Sequence, residues 1–260
     1  MTNLDSTIGY GRDGHALLRG VLSGSEITEF RDAVREVSAR LNGERRSLAD
    51  RDTYGKAFLQ TTNLWRHDET VAHYVLSEKI GKIAAELMHV RGVRLYHDQS
   101  LFKEAGGGFT PWHQDQQYWP LDTPKTITLW MPLVDATAEM GTMYFASGSH
   151  SEGYMGNIPI SDDSELTIRN LIASKNYVVT EPNVMAAGDA TFHSGWVLHG
   201  APGNRSKTVR EVMTIIYYED GATIGRVDSQ DRANDLASWF PGLKEGDLAV
   251  TELNPLVYSG

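Results

Sequence analysis

From residue 93 onward the chain is a series of short β-rich runs parted by glycine and proline turns. No other feature limits its fold as strongly. The runs cover residues 93–102, 126–133, 142–145, 177–180, 190–198 and 211–218. Between them stand Gly106-Gly107-Gly108, Gly148, Gly188-Asp189 and Pro202-Gly203-Asn204. Several short strands with such turns bury their apolar faces only by closing into a sandwich or small barrel. The first third reads differently. Residues 22–43 place Ile27, Phe30, Val34, Val37 and Leu41 on one helical face. Ser23 and Glu26 have the spacing of a capping box, and Asn42-Gly43 is a stop. Residues 68–89 predict one or two further helices, with Ile80, Ile83, Ala84 and Leu87 as the buried stripe. Residues 44–62 are weakly patterned and read as a surface loop or a substrate lid. A helical insertion is expected near residues 164–173. Helices first and strands after indicate α+β, mainly β. With no Pro/Gly/Ser-rich linker, the expected organisation is one domain, 1–260. It has a helical buttress to about 92, a barrel core to about 220 and a C-terminal extension over 221–260.

The composition excludes several functions. There is no cysteine, so disulfides, a thiolate nucleophile, Fe–S clusters and Cys-type zinc sites are ruled out. A net charge of −10 argues against nucleic-acid and anionic-membrane partners, both of which need a basic surface. No stretch approaches the ~20 apolar residues of a membrane span. The polar first residues lack a signal-peptide core. A cytoplasmic protein is expected.

The chemistry concentrates in residues 110–120, TPWHQDQQYWP. His113 and Asp115 are separated by one residue, and in a strand positions i and i+2 share a face. Nine histidines and 34 acids in 260 residues make roughly one such pair by chance, and the chain holds three. Asp68, beside His67/Glu69, reads as a helix N-cap, and His150/Glu152 lies in a turn-rich loop. Only the middle pair is set among bulky aromatics, Trp112, Tyr118 and Trp119, which suit a dry pocket wall. Residues 187–206 offer a third ligand, His193 or His199. Two histidines and one carboxylate form the facial triad of non-haem iron oxygenases, which leaves adjacent positions open for a 2-oxo acid and O₂. The acid's second carboxylate needs a fixed cation, and a planar guanidinium suits it. Arg210 is the candidate, on a run that a turn over residues 202–207 would bring beside the strand of His199. Arg205 is the competitor in that turn.

Taken in order, HQDQQYWP (113–120), TLWMPLVDATAEMG (128–141), SGSH (147–150) and GD–FH–LHGAPGNRS–R (188–210) resemble the phytanoyl-CoA dioxygenase family of Fe(II)/2-oxoglutarate-dependent oxygenases. The resemblance runs from about residue 10 to 258. It implies a double-stranded β-helix (jelly-roll, cupin-like) core with the N-terminal helices packed on it. It also implies His113, Asp115 and His199 as the iron ligands and Arg210 as the anchor of 2-oxoglutarate. Gln99, Trp130 and Thr128 match or neighbour cosubstrate-contacting positions. One departure is Ala201, where some relatives carry a hydroxyl residue.

The implied reaction uses Fe(II), 2-oxoglutarate and O₂. It activates a C–H bond of a small metabolite, releases succinate and CO₂, and leads to hydroxylation or else to epimerisation, cyclisation or desaturation in natural-product tailoring. Asp115 stands where halogenases of similar type have a small residue, so halogenation is not expected. Two alternatives belong to other classes: a cupin-type metalloenzyme without 2-oxoglutarate, and a non-catalytic binding module. Arg45, Arg46, Arg51 and Lys56 form a basic cluster expected to be a solvated surface. Trp119, Gln117, Trp65, Asn63 and Tyr54 are candidates for a moderately apolar substrate.

Overall fold

The computed structural model describes residues 4–156, 158 and 160–260. The chain begins with α1 (Leu4–Asp13), β1 (His15–Leu18), α2 (Gly24–Leu41), α3 (Thr53–Ala57), β2 (Leu59–Thr62), α4 (Glu69–Val75), α5 (Glu78–Met88) and β3 (Gly92–Phe102). Next come β4 (Thr110–His113), β5 (Thr126–Pro132), β6 (Ala136–Thr137), β7 (Tyr144–Ala146), α6 (Asp162–Lys175), β8 (Val179–Thr180) and β9 (Val184–Met185). The last elements are β10 (Ala190–Ser194), β11 (His199–Ala201), β12 (Val212–Glu219), α7 (Gln230–Trp239) and β13 (Leu256–Ser259).

The helices start where the sequence places their caps. The Ser23 hydroxyl accepts from the Glu26 N–H, and the Glu26 carboxylate accepts from the Ser23 N–H at 2.6 Å. Asp68 caps α4 by accepting from the Val71 N–H at 3.0 Å. Ile27, Phe30, Val34 and Val37 are buried, but Leu41 is 37% exposed, so the apolar stripe ends a turn before the helix does. Ile80, Ile83, Ala84 and Leu87 of α5 are buried as expected. Phe30 is fully buried with its ring 4.8 Å from Tyr74; truncating such a side chain to alanine costs about 3–5 kcal/mol.

All strand pairs are antiparallel. The major sheet runs β1-β10-β5-β12-β3-β13 with β2 also on β3, the minor sheet runs β4-β11-β7-β8, and β6 pairs β9. The period of two divides the major sheet. Ile127, Leu129 and Met131 of β5, with Met213, Ile215 and Tyr217 of β12, pack into the core shared with the helices. The alternate residues Thr128, Trp130, Thr214 and Ile216 face a cavity that His113 and His199 of the minor sheet close from the other side. Two antiparallel sheets around one cavity, with helices stacked on the outer face of the larger, make a double-stranded β-helix of mixed α+β composition.

Three features differ from what the sequence predicts. β1 and β2 belong to the major sheet, although they lie in the third expected to be helical. Residues 44–62 hold α3 and β2 rather than a plain loop. The run 190–198 is no single strand, because β10 ends at Ser194 and the chain re-enters the other sheet at His199. Among the described residues no helix is long and apolar enough to cross a membrane.

Candidate active site

His113 ends β4, His199 begins β11, and the two are register partners. Asp115 does not continue the strand; it opens a 3₁₀ turn over Asp115–Gln117. The same-face rule for a strand is therefore not what brings it to His113. The turn is held by the Gln116 N–H donating to the Gly195 carbonyl at 2.9 Å, and it folds the carboxylate back over both imidazoles. One ligand atom each of His113, Asp115 and His199 lies within 4.8 Å of the others.

Backbone carbonyls fix the ring tautomers. A carbonyl only accepts, so Nδ1 of His113 donates to Pro111 O at 2.8 Å and Nδ1 of His199 to Val197 O at 3.0 Å. Each Nε2 then presents its lone pair towards Asp115 Oδ1, at 3.4 and 3.5 Å. Those separations are long for hydrogen bonds and suit three donors around one ion, as does the secured second nitrogen of each histidine. This donor set fits a divalent transition metal with open positions.

The other carboxylate oxygen has its own partners. Asp115 Oδ2 accepts from the Thr128 hydroxyl at 3.0 Å and faces His193 Nε2 at 3.4 Å. His193 lies on β10 in the major sheet, opposite Thr128. It meets His199 across the cavity, with ring centres 4.5 Å apart, rather than along one bulged strand. Gly195 allows the crossing, because a Cβ there would stand 2.4 Å from Thr126 Oγ1 and 2.7 Å from the Trp119 ring. His193 is buried, and among the described residues neither ring nitrogen has a hydrogen-bond partner.

Burial opposes charge on Asp115, yet His199 and the three imidazole contacts hold its carboxyl well below the usual range. Burial also works against a charged His199, but the carboxylate prevails and raises it. His113 is lowered, by burial and then by His199. Burial and the same neighbour push His193 down to about 4. The cluster is a half-buried carboxylate facing imidazole nitrogens, a donor set that a cation would complete.

Arg210 stands just before β12 and forms an antiparallel bridge with Lys103. Its strand does not lie beside that of His199. β12 sits between β5 and β3 in the major sheet, so Arg210 and β11 face each other across the cavity. The chain passes from one sheet to the other between β11 and β12. Arg210 is 1% exposed and, among the described residues, forms no ion pair. Its Nη1 donates to Gly141 O, its Nε has no partner, and its guanidinium lies 5.3 Å from the Trp130 ring centre. Burial pushes it down to about 9, so it stays protonated at neutral pH. Gly141 has φ +83°, and a Cβ there would meet Pro202 O at 2.3 Å. Arg205 is exposed and lies outside the cavity lining.

The cavity measures about 450 Å³. Gln99, Thr128 and Trp130 line it, as does Ala201. The Gln99 side-chain oxygen accepts from Gln60. Of the substrate candidates, Trp119 and Tyr54 line it, whereas Gln117, Trp65 and Asn63 do not. Trp112 packs elsewhere, against Ala146, Ile168 and Leu198. In the basic cluster, Arg46 pairs with Glu44 and Arg51 with Glu104. His97 of β3 and Asp231, Asp235 and Trp239 of α7 also line the cavity, although none was singled out from the sequence. The last three recur at four-residue spacing, which puts them on one helix face, so a signal was present.

The family model for phytanoyl-CoA dioxygenase (PhyH) matches residues 10–212. L-proline trans-4-hydroxylase of Streptomyces griseoviridis is 25% identical over 236 residues, covering 82% of this chain and 85% of that protein. The fold matches the alpha-ketoglutarate-dependent carbocyclase SnoK from nogalamycin biosynthesis at TM-score 0.76 and 24% identity, over 98% of this chain and 96% of that one. It also matches the epimerase SnoN in complex with Fe³⁺, alpha-ketoglutarate and nogalamycin RO at TM-score 0.78 and 23% identity, over 97% of each. With the matched region spanning the triad and Arg210 alike, this chain belongs to the phytanoyl-CoA dioxygenase family.

Proposed function

We propose that the protein is an Fe(II)- and 2-oxoglutarate-dependent oxygenase in which His113, Asp115 and His199 hold the iron and Arg210 binds the distal carboxylate of 2-oxoglutarate. One observation carries the reading. A metal-competent cluster and a buried guanidinium with no ion pair among the described residues line the same cavity. Burying an arginine without an anion is expensive, and a carboxylate ligand relieves that cost. This favours a 2-oxo acid cosubstrate over both a cupin-type enzyme without one and a non-catalytic module.

Iron, when bound, supplies O₂ activation coupled to decarboxylation of 2-oxoglutarate and removal of hydrogen from a substrate C–H bond. The protein's residues bind, orient and exclude water. His113 and His199 present Nε2 because their Nδ1 protons are tied to the backbone. Thr128 fixes the rotation of the Asp115 carboxylate by donating to Oδ2. Trp130 lies against the Arg210 guanidinium and limits its freedom. Gln99 and Thr128 line the same cavity and are assigned to contact the cosubstrate. The substrate is a small molecule and the assigned outcome is hydroxylation. Product mass separates this from the alternatives, since hydroxylation adds one oxygen, desaturation or cyclisation removes two hydrogens, and epimerisation changes nothing.

Anaerobic calorimetry tests the binding half. Fe(II) should bind with one site per chain, and 2-oxoglutarate should bind tightly only to the metal-loaded protein. Equal 2-oxoglutarate affinity with and without metal would contradict the assignment.

A further inference from the structure

The cavity lining is unbalanced in charge. Among the described residues it carries three carboxylates, Asp115, Asp231 and Asp235, against one guanidinium, Arg210. Asp115 is committed to the metal and Arg210 to the cosubstrate, so the two α7 carboxylates are left facing the space for the substrate. The nearest cation on that helix does not offset them. Arg232 donates to Gln117 O and Arg226 O, lies 3.6 Å from Asp228, and sits over the Tyr154 ring at 5.2 Å. It is not part of the lining.

A second, independent feature points the same way. His97 lines the cavity beside α7, is 7% exposed, and among the described residues its Nδ1 has no hydrogen-bond partner. Burial holds it neutral, down to about 4, so it adds no positive charge. Its ring packs on Trp239 at 4.5 Å. Asp235 accepts from the Tyr96 hydroxyl at 2.6 Å and from the Trp239 side chain, so neutral donors hold it and no cation does. Trp119, Tyr118 and Tyr54 complete an aromatic wall. Half-buried carboxylates without a cation, a neutral imidazole and aromatic faces together complement an organic ammonium group. They disfavour an anionic group at this end.

We propose that the substrate carries a protonated amine, seated against Asp235 and Asp231 and the aromatic wall of Trp119 and Trp239, with the carbon to be oxidised turned towards the triad. This rests on the assignment of Asp115 and Arg210 made above.

Three probes of one shape and different charge test it: cyclohexylamine, cyclohexanol and cyclohexanecarboxylate. Each is titrated calorimetrically into the protein loaded with Fe(II) and 2-oxoglutarate under anaerobic conditions. Cyclohexylamine should bind at least about tenfold more tightly than cyclohexanol, a difference of one decade in Kd. The carboxylate should bind worst. The preference should shrink in Asp231→Asn and vanish in Asp235→Asn, with circular dichroism and metal uptake unchanged in both. The proposal is overturned if the three bind equally or not at all, if the alcohol or acid is preferred, or if the preference survives in the double variant. An amine preference in protein that takes up neither metal nor 2-oxoglutarate would instead overturn the oxygenase assignment and leave the amine site standing.

Discussion

His113 and His199, far apart in sequence, are register partners on adjacent strands, with ring centres 4.1 Å apart. The β4–β11 pairing therefore sets their separation before any ligand arrives. His113→Ala, His199→Ala or Asp115→Ala removes one of three donors and should lower metal affinity by more than the 10–100-fold typical of losing a supporting contact. His193→Ala should keep metal binding, since His193 reaches only the outer oxygen of Asp115. Anaerobic Fe(II) titration of the four variants checks both expectations.

Thr128→Val keeps the shape of the side chain and removes the hydroxyl that donates to Asp115 Oδ2. Metal affinity should fall about 10–100-fold, with unfolding by urea little changed. Full metal affinity in the variant would mean the carboxylate is oriented by other contacts.

Arg210→Ala should leave metal binding largely intact and weaken 2-oxoglutarate binding by roughly 2–4 kcal/mol, about 30- to 1000-fold. Arg210→Lys should recover only part of this, because a point charge cannot reproduce the planar fork. The readout is the 2-oxoglutarate concentration giving half-maximal succinate release.

The His113–Asp115–His199 cluster and the buried Arg210 were legible because their chemistry is carried by residue type and order along the chain. The way they meet was not. Asp115 reaches His113 through a 3₁₀ turn. His193 and His199 belong to different sheets, because the chain turns after Ser194, with the Val197 N–H donating to Ser194 O. β1 (HALL) and β2 (LQTT) are four residues each, too short for a period of two to stand out from their flanks. Asp231 and Asp235 lie in the C-terminal extension, where the sequence expectations placed no site. They turn inward because α7 docks its Trp239 and the following Phe240 onto Tyr96, a contact no local pattern announces.

Lys103 gives a pH signature. It is fully buried, donates to Gly108 O at 2.5 Å and Thr110 Oγ1 at 3.3 Å, and lies beside Arg210. Burial, then Arg210, pushes it down to about 6 from 10.5. Between those values the unfolded chain binds the extra proton, so this group makes stability rise with pH. The contribution is complete above 10.5 and is lost as pH falls towards 6. Lys103→Met should remove it. The difference in unfolding free energy between wild type and variant should therefore slope with pH from about 6 upward and be flat below. A difference independent of pH would show that Lys103 keeps its ordinary proton affinity.

Succinate formation from 2-oxoglutarate tests the central claim most directly. Wild-type protein supplied with Fe(II), 2-oxoglutarate, O₂ and an amine-bearing substrate panel should release succinate. Chelating the metal should stop it, as should Asp115→Ala or His199→Ala, while His193→Ala should retain part of it. Succinate release that is unaffected by Asp115→Ala, or absent from wild-type protein shown to bind both Fe(II) and 2-oxoglutarate, would contradict the account.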